Sequence, residues 1–233
     1  MKLNEAQIQQ LYHFTRKHYV EHYDVQTELV DHLANGIEQQ WTVNPELSFN
    51  DALTVEFKKF GVFGFMDVVG NRHAALNKKY NGIVWQHLKT FFTIPKIAIT
   101  ISGMVLVFYV LSLKSYQSII FNTLLVVFLV LFFAMLIVNG IKKKKHAQKT
   151  GKKWLFKDVI YQFGSYGGLF YLPVHVMVHT NSIIESGLGI FIMSIFIVLM
   201  GLVEYIIFVE IPRKAEDYLK ETYPEYKLET VTN

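Results

Sequence analysis

The chain has 233 residues, of which 52% are hydrophobic and 15% aromatic while only 18% are charged, and its formal net charge is +4. It contains no cysteine, which excludes disulfides, thiolate metal ligation and a thiol nucleophile and suits a reducing compartment. The apolar residues crowd into the second half and the positive charge into one run, a distribution that points to a membrane protein and away from nucleic-acid binding.

Residues 1–82 carry 8 basic and 10 acidic side chains, so the first third of the chain is mildly acidic. Its opening, MKLNEAQIQQLYHF, has no apolar core of signal-peptide type, and the expectation is a cytosolic module. Asn4 with Gln7 forms a capping pair, and Ile8, Leu11, Tyr12, Thr15 and Tyr19 repeat at helical spacing, predicting a helix from Asn4 to about His22. Asp24 offers a second cap. Val25, Leu29, Leu33, Ile37 and Trp41 step by four along a helix that should stop before Asn44-Pro45. Ser48 with Asp51 opens a third helix with Phe49, Leu53, Phe57 and Phe60 on one face and Gly61 at its end. Phe65, Val69, His73, Leu76 and Tyr80 suggest a fourth.

The second and third of these, ELVDHLANGIEQQ and LSFNDALTVEFKKFG, resemble the HAAS-type, or permease-prefix, helical domain of bacterial membrane proteins. The matching positions are Glu28, Leu29, Leu33, Ile37 and Glu38, then Ser48, Ala52, Leu53, Phe57 and Gly61. After Gly61 the sequence departs from that pattern, with Val-Phe-Gly-Phe where the family has an acidic turn. The resemblance covers about the first third of the chain. It implies a cytosolic regulatory or interaction module placed before membrane helices, with no chemistry of its own. Glu28, Asp31, His32 and Glu38 are the candidate partner-binding residues.

Residues 83–94 read as a juxtamembrane amphipathic linker with Trp85, Leu88, Phe91 and Phe92 among polar neighbours, or as the last helix of the module. Pro95–Leu113 and Ser118–Gly140 each approach the ~20 apolar residues that cross a bilayer, predicting a first transmembrane hairpin over 95–140. The run 141–157 follows, with eight lysines and no acid. Such a run cannot lie in hydrocarbon, and membrane proteins keep it on the cytoplasmic side; it is read as a basic loop, with Lys142, Lys143, Lys144, Lys145, Lys152 and Lys153 against anionic headgroups or the acidic module. A second hairpin over 158–209 pairs Asp158–Val178 with Gly187–Val209, and a tail over 210–233 reads as a short helix ending near Pro224. The expected fold is all-α, with a cytosolic helical module followed by four spans, both termini cytoplasmic, in a bacterial inner membrane.

The second hairpin is the more polar. Gly164 and Gly168 on one helix, with Gly187, Ser194 and Gly201 at seven-residue intervals on the other, predict close packing of the two through small residues. Glu204 lies inside the fourth span, at the depth of Tyr161, Gln162 and Ser165 and near Tyr166. An ionisable residue there is structural glue, hydrogen-bonded to Gln162 or a tyrosine, part of a polar path, or an interface with another membrane subunit. His18 with His22, and Glu28 with His32, have the i, i+4 spacing of metal ligands, as do His175 and His179, but that spacing equally suits hydrogen bonding and interfacial anchoring. No metal or cofactor is expected. No metalloprotease helix, nucleophile elbow or Walker loop is present in the sequence. The function these features favour is a non-enzymatic membrane accessory or regulatory subunit, contacting lipid and a further membrane or cytosolic protein; homo-oligomerisation is open. The alternatives are a small transporter or ion-conducting oligomer with a polar path around Glu204, and, more weakly, an intramembrane enzyme with no catalytic pair to name.

Overall fold

The computed structural model describes residues 2–178 and 184–229, with the side chains of 146, 147, 149, 150, 165, 170 and 227–229 excepted. His179 therefore lies outside the described residues. Among those residues every regular element is helical.

Local end chemistry fixes the first elements. Asn4 accepts from the Gln7 N–H at 2.9 Å while the Gln7 side chain accepts from the Asn4 N–H at 2.9 Å, and this reciprocal cap starts α1 (Glu5–Lys17). The Ser48 hydroxyl accepts from the Asp51 N–H at 3.2 Å to start α3 (Phe49–Lys58). Between them α2 (Tyr23–Val43) is preceded by His22, which gives no side-chain cap. Asp24, expected as that cap, lies in the first turn, and its carboxylate accepts from the Leu155 N–H at 3.0 Å. A single helix, α4 (Met66–Thr90), runs through the boundary expected at residue 82. Glycine inside a helix costs only about 1 kcal/mol, and buried Leu76, Tyr80, Ile83 and Val84 outweigh Gly70 and Gly82.

The apolar half begins with α5 (Lys96–Leu111) and α6 (Gln117–Thr150). The first half of the lysine run, expected as a loop, is the last part of α6. Lysine is a good helix former, and a helix C-terminus favours cations. The chain turns at Gly151, whose φ is +65°. The third apolar segment is not one helix: α7 (Leu155–Tyr161) stops at Phe163 and Gly164, both left-handed with φ of 64° and 51°. A 3₁₀ stretch (Gly164–Phe170) and α8 (Tyr171–Val178) follow. Glycines at 164, 167 and 168 remove the propensity that would carry a helix through. Ser186 caps α9 (Gly187–Tyr205) by accepting from the Gly189 N–H at 3.0 Å. A π turn (Ile206–Glu210), α10 (Ile211–Arg213), α11 (Ala215–Thr222) and α12 (Pro224–Glu229) complete the chain.

Two segments, Gln117–Lys145 and Gly187–Arg213, are long and apolar enough to cross a membrane; Lys96–Leu111 is apolar but shorter. Only 17% and 28% of the most apolar stretch of each is buried. Ile99, Val105, Leu106 and Tyr109 on α5, Ile119, Val130 and Ile137 on α6, and Leu188 and Phe191 on α9 all point outward.

Packing divides the chain into two units: Met1–Leu76 with Ala147–Asp158, and Asn77–His146 with Val159–Asn233. In the first, Leu11, Val25, Leu29, Leu33, Ile37, Ala52 and Phe65 are buried where α1 and α3 pack on α2. An aromatic group of Phe14, His18, Phe57, Phe60 and Phe65 closes one end, with ring centroids from 4.4 Å apart. In the second, α9 packs along α5, and Leu111, Phe121, Leu125, Ile184, Ile197 and Met200 form the core. A second aromatic group joins Phe163 to Phe208 at 4.5 Å and Phe208 to Phe132 at 5.3 Å, packing the α7 break against the π turn and α6.

Candidate functional site

A polar concavity lies in the first unit, where the α1–α2 corner meets the segment that follows α6. Tyr19, left-handed at φ 64°, turns the chain out of α1, and the buried Gln26 amide donates to the Val20 carbonyl to hold the corner. The returning segment is fastened residue by residue. The Tyr23 N–H donates to the Lys153 carbonyl at 2.7 Å, Lys153 Nζ pairs with Glu21 at 2.5 Å, and His22 Nε2 lies 3.2 Å from Asp158 Oδ2. Trp154 is buried with its ring edge-on to Tyr23 at 5.4 Å, and Lys152 Nζ sits 3.9 Å from the centre of the Tyr23 ring. The Lys153 hydrogen bond and charge hold the Glu21 carboxyl below its usual range.

Beside this clasp lies a cleft of about 760 Å³ lined by Gln9, Tyr12, His13, Arg16, Tyr23, Gln26, Gly151 and Lys152. A lobe of about 340 Å³ shares Arg16, Tyr23, Gln26, Gly151 and Lys152 with it and adds Tyr19, Glu21 and Lys153. Sequence reasoning placed Lys152 and Lys153 against anionic headgroups or the acidic module and missed Arg16, whose place beside them arises only when residues more than a hundred positions apart meet.

The four candidate partner-binding residues are used unequally. Glu28 is exposed, 3.9 Å from Arg72, and Asp31 is exposed. His32 is exposed with its ring edge against Phe60 at 5.4 Å. Glu38 is partly buried and accepts from the Leu3 N–H at 3.0 Å, so it serves the fold. Sequence reasoning also missed buried Glu56, which accepts from Gln40 and pairs with Lys59 at 2.6 Å. Mid-helix Gly36 was the signal: a Cβ there would fall 2.4 Å from the Glu56 carboxyl carbon.

Of the polar set expected inside the membrane, no hydrogen bond or ion pair joins Glu204, Gln162 and Tyr166 among the described residues. Glu204 is half-buried near the end of α9, two residues before the π turn, and makes no hydrogen bond or ion pair among the described residues. Gln162 is exposed, Tyr166 packs its ring 6.1 Å from Tyr80, and the Ser165 side chain lies outside the described residues. The small residues also differ from expectation. Gly164 meets Tyr80 and Asn77 of α4, Gly201 meets Phe128 of α6, and Gly168 and Gly187 have open space beside them. Ser194 is buried, its hydroxyl donating to the Ile190 carbonyl at 2.7 Å within α9. Lys142, Lys144 and Lys145 are exposed and Lys143 is half-buried.

His18 and His22, considered as a metal-ligand pair, take different partners. His18 stacks among Phe14, Phe57 and Phe65, while His22 faces Asp158. His175 is exposed. Among the described residues no group of three or more His, Asp or Glu side chains is placed to hold a metal ion. In the second unit the tail docks on α4: His87 Nε2 is 2.7 Å from the Tyr218 hydroxyl, and Lys79 Nζ donates to Thr222 at 2.8 Å. Burial and the Lys214 charge push the His87 imidazole below its usual value, against the smaller pull of Glu210. Comparison with family models, with curated proteins and with solved structures returned no match.

Proposed function

We propose that the chain is a four-span integral membrane protein, both termini cytoplasmic, acting as an accessory or regulatory subunit whose N-terminal helical module docks a partner. The observation that carries this reading is the outward-facing apolar surface of α5, α6 and α9, which suits hydrocarbon and would be unfavourable in water. A helix in the core of a soluble protein would instead bury most of such a stretch. From Ser118 to Gly140 a helix rises roughly 33 Å, a bilayer's hydrocarbon thickness, which leaves Lys142–Lys145 at the headgroups. In this reading α5 and the broken segment from Asp158 to Val178 supply the other two spans. The positive run lies inside, where anionic lipid favours it.

The module's docking face is the exposed Glu28, Asp31 and His32 edge of α2, which suits a basic partner surface. The test is gentle extraction of the tagged protein and identification of what co-purifies. A stoichiometric partner lost in the Glu28→Lys/Asp31→Lys double variant, with the protein still folded, is the expected result. A partner set unchanged by the double variant and by removal of residues 1–76 contradicts the docking role. One observation favours a second reading, a polar path for an ion or small solute: half-buried Glu204 precedes a π turn, an irregularity often found at functional sites. Under that reading Glu204→Gln abolishes function at unchanged expression.

A further inference from the structure

The turn from α3 into α4 points apolar side chains outward at the end of the first unit that the aromatic group closes. Val62 is 98% exposed, Phe63 71% and Met66 55%, whereas Phe65 among them is buried against Phe57 and Phe60. The backbone imposes this division. Gly61 and Gly64 are left-handed with φ of +74° and +55°, and the Gly64 N–H donates to the Gly61 carbonyl at 3.3 Å. A Cβ on Gly64 would fall 3.1 Å from the Phe57 ring, so the glycines seat the turn on Phe57 and leave Val62 and Phe63 at its crest. The two helices that share the aromatic group both end in cations, Lys17 beyond Phe14 in the last turn of α1 and Lys58 beside Phe57 in the last turn of α3. Both lysines are exposed, and neither has an ion-pair partner among the described residues. Of the nearby acids, Glu56 is buried and paired with Lys59, and Asp67 is exposed in the first turn of α4.

We propose that this tip dips into the membrane surface, with Val62, Phe63 and Met66 below the headgroups and Lys17 and Lys58 against anionic lipid. Apolar side chains flanked by lysines are the composition of an interfacial anchor. A protein partner fits the tip less well, because a stable protein interface takes about 800 Å² from each side, more than three side chains on a protruding turn supply. A bilayer needs no complementary shape. The chain's own spans also keep it close, so a small apolar tip meets lipid at high effective concentration. The inference rests on the membrane-spanning reading above and adds to it a reversible second contact, made by the N-terminal module.

The test uses the full-length protein in nanodiscs, with an environment-sensitive fluorophore on Val62→Cys, on Asn50→Cys near the start of α3, or on Ile137→Cys of α6. The nanodiscs are phosphatidylcholine with or without phosphatidylglycerol, and spin-labelled lipid is the quencher. The expected result is a blue-shifted, quenched probe at 62 and 137 and an unquenched one at 50, with quenching at 62 stronger when phosphatidylglycerol is present. Phe63 and Met66 remain to carry insertion in the Val62→Cys protein. Lys17→Ala and Lys58→Ala should each lower the ratio of inserted to free tip about fivefold. Phe63→Asp should abolish quenching at 62 with the helical content unchanged. Quenching at 137 without quenching at 62 overturns the tip contact alone, whereas quenching at neither position overturns the membrane-spanning reading with it. A blue-shifted but unquenched probe at 62 also overturns the proposal and assigns the tip to a protein surface. Quenching unaffected by both lysine variants overturns their part in the contact.

Discussion

Gly164 meets two demands at once. Its φ of +51° lies where an L side chain is strained, and a Cβ would fall 2.6 Å from the buried Tyr80 ring. Left-handed strain of about 1–2 kcal/mol adds to overpacking of about 1–3 kcal/mol, so Gly164→Ala should destabilise by roughly 2–5 kcal/mol. Gly168→Ala, with open space around it, should change stability by under about 1 kcal/mol. Unfolding of the two variants in detergent checks the contrast; equal effects would mean that the Tyr80 contact does not matter. Titration makes a second prediction at this scale. Burial lowers both His18 and His87, so their folded-state values lie below the unfolded value of about 6.5. Their contribution is complete above that value and is lost as pH falls through it toward the folded values. The melting temperature should drop between pH 7.5 and 5.5, and His87→Gln should drop less than the parent; an equal drop would remove His87 from the cause. What could be read at this scale was what is local. Asn4 and Ser48 cap their own helices through partners three residues away, whereas Asp24 has a cap's chemistry but spends it on Leu155, 131 residues on.

At the scale of elements, the clasp between the α1–α2 corner and residues 151–158 combines an exposed ion pair with a buried aromatic anchor. Glu21 and Lys153 are both more than half exposed, so Lys153→Ala should cost less than about 1 kcal/mol. Trp154 is 2% exposed, and Trp154→Ala should cost about 3–5 kcal/mol. Denaturant unfolding of the two variants tests this ranking, and a reversal would contradict burial as the clasp's main source of stability. Periodicity revealed α1 to α3 because each has one apolar stripe and a clear end. At α4 it found the helix but not its length, because the helix runs on through Gly82 to Thr90. It also failed at the lysine run, where charge says "outside the membrane" but is silent on helix or loop. The broken third segment was hidden because its composition matches a continuous span, and only the Phe163–Gly164 backbone shows the interruption.

For the whole molecule, the all-helical class and the two long apolar helices were legible in the sequence, because bilayer-length apolar runs have few other uses. The cleft with Arg16 and Lys152 was not, since its two cations come from distant parts of the chain. The absence of cysteine makes the topology directly testable by single-cysteine labelling. Intact cells or oriented vesicles carrying Ser115→Cys, Gln148→Cys or Glu185→Cys are treated with a membrane-impermeant maleimide. Four spans with the positive run inside predict external labelling at 115 and 185 and protection at 148 until the membrane is opened. Labelling of all three positions from one side would contradict the membrane-spanning arrangement on which the proposed role rests.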